Sequence, residues 1–447
     1  MSAEKFLASL ERWFQPGSEP PEMGALRRAA LERAHALGVP TPKMERWRQS
    51  GVANVFEHNY NLPKRDRLPM SPGRCQLDAM ATTAMHFSAG KIESAQPLQR
   101  LQDGVIAGSL RAAMKEEPEL VQRLLAERGL DKMGFFNAVN MALFTDGFFL
   151  HVPKNVVLAR PIQVIHVLGE YRDALENLRN FVVLEEGAEA TLLFCDHSSG
   201  REYGFASSVN QFQIGPGAGF KLYRVQNLSD EAACFHQDFF TQQENSRLFS
   251  HTIGFNGGLL RGETHVDLQG KGADCEFVGL SLSSRGQRME NFVKVEHQVP
   301  HCTSREVFKN IVDDYARGLF NGHVLVHPDA QKTEAYQNNS NIVLTDKAKM
   351  SSRPFLEIYA DDVKCSHGSS VGQLDDEALF YMRQRGISEE NARLLLLYAF
   401  AADVINQIDI EPLRRQLDDM VKKRLRGELP SCEDCVLSCS QPEFEVL

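Results

Sequence analysis

Two groups of residues in this sequence have the types and spacing to hold a metal or sulfur species. Cys365 and His367 stand two apart in the run Lys364-Cys-Ser-His-Gly368. On a strand, both side chains would leave the same face with their Cα atoms about 7 Å apart. Their tips could then converge on one iron, zinc or sulfur species. Two ligands do not close such a site, because iron and zinc take about four. The pair therefore reads either as half of a site completed from elsewhere, or as a buried thiol beside a histidine satisfied by a backbone carbonyl. The second group is Cys432, Cys435 and Cys439 in the tail LPSCEDCVLSCSQPEFEVL. Thiolates at these spacings suit Fe–S or zinc binding. No fourth ligand is evident, and Glu433 and Asp434 would raise the thiol pKa values. The alternative for this group is an exposed tail whose thiols merely oxidise.

Other arrangements carry less chemistry. Cys75, Cys195, Cys234, Cys275 and Cys302 are scattered without framework spacing and are read as buried small hydrophobes. His323 and His327 would share one face of a strand and are read as surface residues. Lys332, Glu334, Asp346 and Lys347 fall in polar turns and receive no role. In Asp313–Asp314 and Asp361–Asp362 the two carboxylates would point to opposite faces of a strand, so solvated turns explain them better than a catalytic pair. No phosphate-cradling G-x-x-x-x-G-K-[ST] loop, dinucleotide G-x-G-x-x-G, G-x-S-x-G elbow or H-E-x-x-H occurs. These absences argue against ATP hydrolysis or a familiar acyl transfer in this chain.

The elements that must position Cys365 and His367 change type around them. Residues 1 to about 60 read as helical, with Phe6, Leu7, Leu10 and Phe14 at helical spacing and a second helix stopping at Gly38 before Pro40. An irregular, proline-bearing connector follows. Leu98 to Gly129 reads as a helical tract interrupted by Pro118, which starts a new helix. From about Phe148 the period becomes that of strands. Leu260 to Gln269 alternates cleanly, whereas Phe181–Leu184 and Leu192–Cys195 are continuously apolar. Turn signals at Glu186-Gly187, Gly215-Pro-Gly217 and Asn256-Gly257 recur, with glycines roughly every 14–15 residues in places.

So many short strands without crossover helices exclude a doubly wound fold and leave a sandwich, a barrel or a parallel β-solenoid. The glycine rhythm favours the solenoid. Its open ends would need covering, and the flanking helices could serve. Past Gly372 the sequence turns helical: Leu374–Arg385 closing at Gly386, Glu389–Ile408 after the N-cap Ser388, and a third helix with Pro412 at its start. The expected division is 1–147, a helical region and connector; 148–372, a β-helix core; and 373–447, a helical domain with the cysteine tail.

Composition bounds the function further. With 447 residues, 43% hydrophobic and 24% charged, the chain matches an ordinary globular protein. A net charge of −10 argues against a nucleic-acid or anionic-membrane binder. No apolar run approaches the ~18 residues of a membrane span, and the charged, amphipathic start is unlike a secretory signal. The expected location is the cytoplasm.

The run from Gly318 to Ile408, and within it KCSHGSSVGQLDDEALFYMRQRGIS, resembles the SufB/SufD family of iron–sulfur cluster assembly proteins, and its SufD branch most. The resemblance extends more weakly upstream through Asn137 and LHVPKNVVLARPIQVIHV. It implies a right-handed parallel β-helix with helical N- and C-terminal regions. It implies a heterodimer with a SufB-like paralogue, and docking of a SufC-like ABC ATPase on the C-terminal helices, here 389–426; nucleotide chemistry would then sit in that partner and not in this chain. It also implies a transient Fe–S cluster or iron at a shared interface site, contacted by His367 with Cys365 beside it. Self-pairing of the isolated chain stays open, as does the role of the cysteine tail. The competing readings are a β-helix carbohydrate-active enzyme, and a metal carrier acting through Cys432, Cys435 and Cys439.

Overall fold

A turn every half-coil and strands of about ten residues produce one shape, a parallel β-solenoid of two strands per coil. The computed structural model describes residues 3–15, 21–62, 82–92, 94, 96–127, 129–168, 172–198 and 203–428. Short strands come first: β1 (Thr83–Ser88), β2 (Lys91–Ile92), β3 (Leu98–Arg100), β4 (Ile106–Ser109) and β5 (Phe148–Val152). The chain then alternates between two sheets through β6 (Ile162–Leu168), β7 (Ala174–Leu184), β8 (Glu189–Ser198), β9 (Gly204–Ile214), β10 (Gly219–Asn227), β11 (Ala232–Gln242) and β12 (Arg247–Asn256). It continues through β13 (Leu259–Leu268), β14 (Asp274–Ser283), β15 (Arg288–His297), β16 (Thr303–Val312), β17 (Arg317–Val326), β18 (Glu334–Val343), β19 (Lys349–Ile358) and β20 (Lys364–Gly372).

Even strands from β6 onward form one ten-stranded sheet with β1 and β2, and odd strands form the other with β3 and β4. Register is close to constant. Glu189 pairs with Gly219, Gly219 with Arg247, Arg247 with Asp274, Asp274 with Thr303, Thr303 with Glu334 and Glu334 with Lys364. Each coil thus takes 27 to 31 residues, and two turns per coil give the spacing legible in the glycines.

One corner is built from left-handed residues stacked coil on coil: Asn155, Gly187, Gly217, Asn245, Gly272, His301 and Lys332, with φ between 54° and 74°. Their N–H groups donate to the next coil's carbonyls, Gly187 to Pro216, Gly217 to Glu244, Asn245 to Lys271 and His301 to Gln331. Glycine takes this conformation without a Cβ penalty and asparagine tolerates it. The lumen is filled by stacked aromatics, among them Phe212 and Phe240 with centroids 4.4 Å apart.

Helices clad the two outer faces and do not cover the ends. On the odd sheet lie α1 (Ala3–Trp13), α2 (Pro21–Leu37), α3 (Leu110–Glu116), α4 (Pro118–Glu127) and α5 (Phe135–Leu143), packing Phe6, Leu31, Phe56 and Phe136 toward Phe181, Phe205 and Phe235. Arg27 of α2 donates twice to the carbonyl of Ala142, at 3.0 and 2.8 Å. The even sheet is covered by α7 (Glu389–Ile405) and α8 (Glu411–Leu425), while α6 (Asp376–Gln384) buries no residue. His251 meets the Val404 carbonyl at 3.0 Å, Asp409 takes Lys221 and Tyr223, and Arg424 reaches the Phe255 carbonyl at 2.9 Å.

This cladding explains why β7 is buried at every position and reads as continuously apolar, whereas β18, free of helices over most of its length, alternates. β-Structure also begins earlier than the sequence suggests: Thr83 to Ser109 contains β1–β4, and Leu98–Ser109 is a hairpin where a helix was expected. These strands are two to six residues long, too short to show a period. Antiparallel pairing of β1 with β2 and of β3–β4–β5 ends the stack on that side. At the other end β19 and β20 are the last strands, with no further strand beside them among the described residues.

Candidate functional site

β20 carries the Cys-x-His pair on that unpaired edge. Its register against β18 sets Cys365 opposite Ala335, His367 opposite Gln337 and Ser369 opposite Asn339. Cys365, His367, Ser369 and Val371 share one face, the face that forms the lumen wall in earlier coils. Cys365 is half-buried, packed near Val324, Val326 and Ala335. Burial pushes its thiol pKa up, partly offset by a backbone hydrogen bond from Ala335. His367 is exposed because no further coil closes over it. Across the lumen Ser352 of β19 meets Ser369 at 2.7 Å.

Beneath His367 lies a polar column that sequence reading missed. Glu306, Gln337 and His367 are consecutive partners in the register of β16, β18 and β20. Gln337 Nε2 donates to Glu306 Oε2 at 2.8 Å. Glu306 is buried, and burial raises its carboxyl to about 8, with the Gln337 bond pulling the other way. Glu306 Oε1 and Gln337 Oε1 have no hydrogen-bond partner. A neutral acid thus sits two strands, about 10 Å, behind the exposed histidine. Beside it runs an asparagine ladder, Asn310 to Asn341 and Asn341 to Asn339, both at 2.7 Å.

The remaining candidates fall as follows. Cys195, Cys234, Cys275 and Cys302 are buried, and burial raises the thiols of Cys234, Cys275 and Cys302. His323 and His327 point outward, each toward a glutamate: Glu357 at 3.1 Å and Glu296 at 3.6 Å. Asp313, Asp314, Asp361 and Asp362 lie in turns, and Asp362 pairs with Lys332. Cys75, Cys432, Cys435 and Cys439 lie outside the described residues. Among the described residues no group of three or more His, Cys, Asp or Glu side chains is arranged to hold a metal ion. The Cys365–His367 pair is thus, within this chain's described part, two donors on an open edge. Among the described residues no helix is long and apolar enough to cross a membrane.

Comparison with known proteins completes the description. Residues 167–400 match the family described as SUF system FeS cluster assembly, SufBD core domain, and residues 13–164 match the SufBD protein N-terminal region. The chain is 28% identical over 410 residues to the iron–sulfur cluster assembly protein SufD of Escherichia coli, covering 89% of this chain and 92% of that one. It is 26% identical over 437 residues to SufD of Bacillus subtilis, covering 93% and 97%. A SufBD family protein of Mycobacterium leprae is 35% identical over 290 residues, covering 63% of this chain and 73% of that one.

Proposed function

This chain belongs to the SufB/SufD family of iron–sulfur cluster assembly proteins, and on that premise we propose that it is a SufD-like scaffold subunit rather than a self-sufficient enzyme. It pairs with a SufB-like paralogue through the open end of the solenoid, and iron and sulfide are the cargo assembled at the junction. The observation that carries this reading is the position of Cys365 and His367 on one face of the last, unpaired strand. A partner strand added to β20 would close the edge and bring the missing ligands to them. Phe355, Tyr359 and Val371, each more than half exposed, surround that edge and suit burial under a partner.

In this reading His367 contacts iron and Cys365 contacts sulfur or iron in a transient cluster. The neighbouring neutral Glu306 adds no charge to the site at neutral pH. A SufC-like ATPase docks on residues 389–426 and supplies nucleotide hydrolysis. The inner faces of α7 and α8 are committed to the even sheet, so docking uses their outer faces, with exposed Leu395, and the neighbouring α6, with exposed Phe380 and Tyr381. The parts 1–147, 148–372 and 373–447 serve as cladding, cluster-edge scaffold and ATPase-docking region, in a cytoplasmic complex. Cys432, Cys435 and Cys439 form a separate metal-holding group. Unchanged metal content after replacing all three by serine would remove them from that role. The family match decides against the polysaccharide-enzyme reading.

The test is co-purification with the SufB-like and SufC-like partners, followed by anaerobic reconstitution with iron and sulfide. His367→Ala is expected to leave the complex intact and lower cluster yield by about tenfold or more, since even outer-shell changes cost metal sites that much. An unchanged yield in an intact complex would take His367 out of the site.

A further inference from the structure

The outer face of the odd sheet carries a column of cations that the cluster edge does not use. Arg288, Arg317 and Lys349 are the first residues of β15, β17 and β19 and are direct register partners. On parallel strands about 4.8 Å apart, three like charges stack side by side. Arg48, from the connector that lies over this sheet, joins them in lining a cleft of about 790 Å³. In a chain of net charge −10, such a concentration needs a compensating partner.

Among the described residues none of these four cations forms an ion pair. The one carboxylate lining the cleft is already engaged: Glu290 accepts from Ser50 Oγ at 2.6 Å, Gly51 N at 2.6 Å and Arg261 Nη1 at 2.5 Å. Burial, and then the neighbouring Arg317, push the Arg288 guanidinium below its ordinary pKa, so its surroundings do not neutralise it. A second feature narrows the ligand. Leu319, Val343 and Val371 line the same cleft, giving it an apolar side next to the cations. The volume is that of a small-molecule site.

We propose that this cleft binds an organic diphosphate, its phosphates bridging Arg288, Arg317 and Lys349 and its apolar or aromatic part resting on Leu319, Val343 and Val371. Adjacent cations at strand spacing match two linked phosphates better than a single one, and guanidinium forks bind phosphate oxygens in pairs. The site has no bound metal ligands or nucleophile among its lining residues, so it binds and does not hydrolyse. It stands apart from the Cys365–His367 edge and does not depend on the function proposed for that edge.

Titration calorimetry on the full chain tests it, with inorganic pyrophosphate and ADP as probes. Both are expected to saturate, ADP the more tightly by about tenfold, the contribution of one good apolar contact. The double variant Arg317→Gln with Lys349→Gln should weaken both by about tenfold or more. Leu319→Ser should remove the preference for ADP and leave pyrophosphate unchanged. Lys115→Gln with Lys132→Gln changes net charge equally on another exposed surface and should change neither probe. The assignment is overturned if neither probe saturates below about 1 mM, if ADP and pyrophosphate bind alike, or if the control pair weakens binding as much as the cleft pair. Unchanged unfolding midpoints in all variants exclude misfolding as the cause of any loss.

Discussion

Arg261→Ala is expected to destabilise the middle coils by about 3–5 kcal/mol, the cost of removing one partner from a buried ionic cluster. Arg261 is fully buried on what would be the solvent face of β13. Its guanidinium donates to Glu263 at 2.6 and 3.1 Å and to Glu290 at 2.5 Å. Its plane is closed off by Trp47 and Phe292, at 4.2 and 3.9 Å from the ring centroids. Removing it leaves Glu290 without a cation and Glu263 with only Arg46, at 2.7 Å and half exposed. Burial alone would raise the Glu263 carboxyl, but Arg46 and Arg261 together hold it down to about 2. A depressed carboxyl stabilises the fold fully above its unfolded value near 4.5 and loses that contribution as pH falls toward 2. The deficit of Arg261→Ala should therefore be largest at neutral pH and shrink in acid. Denaturant midpoints at pH 7 and pH 3 measure both values, and an equal deficit at the two would rule out the electrostatic account. Because Glu290 also holds Ser50 and Gly51, the connector should loosen as well, visible as faster amide exchange at residues 50–57.

The Arg261 cluster also marks where sequence patterning reaches its limit. Leu260 to Gln269 alternates as a strand with one wet face would, and the strand is there. Yet Arg261 and Glu263 are buried, because a connector more than 200 residues upstream lies over them. Periodicity reports side-chain direction and not what a distant segment places on the outer face. The solenoid itself was legible through its half-coil spacing, since each coil must turn at similar points. No repeat motif accompanied it because the left-handed corner alternates between residue types: glycine at 187, 217 and 272, asparagine at 155 and 245, then His301 and Lys332. The conformation repeats and the letters do not. The helices α6, α7 and α8 were readable from Gly386, Ser388 and Pro412, whose local chemistry sets the breaks: Gly386 has φ +85°, and the Ser388 side chain accepts from Asn391. That α7 and α8 would lie on a sheet face and leave the solenoid end open had no local signal.

At the candidate site the same division holds. Cys365 and His367 are two apart, so their shared face follows from strand geometry alone. Glu306 and Gln337 are 31 and 30 residues from their neighbours in the column, and only the coil register brings them beneath His367. A reading that had fixed the coil length near 30 could have found them by stepping back from His367 one coil at a time.

Glu306→Gln is expected to stabilise the last coils, by about 3 kcal/mol at pH 7. The carboxyl lies at about 8 in the fold against 4.5 in an exposed chain, because burial disfavours its charge. Below pH 4.5 the group is protonated in both states and costs nothing. As pH rises the unfolded chain releases the proton while the folded one retains it, so stability falls by about 1.4 kcal/mol per pH unit until the folded group also ionises near 8. Glutamine is neutral throughout, accepts no such penalty, and keeps a carbonyl for the Gln337 donor. The gain over wild type should thus be near zero at pH 4.5, grow through pH 7 and level off above 8. Each coil touches only its neighbours, so the gain should concentrate in β16, β18 and β20 rather than spread over the solenoid. Amide exchange of those strands across pH 5–8, wild type against variant, resolves it. A pH-independent difference would mean that Glu306 is ionised in place, and that the lumen behind His367 is charged rather than neutral.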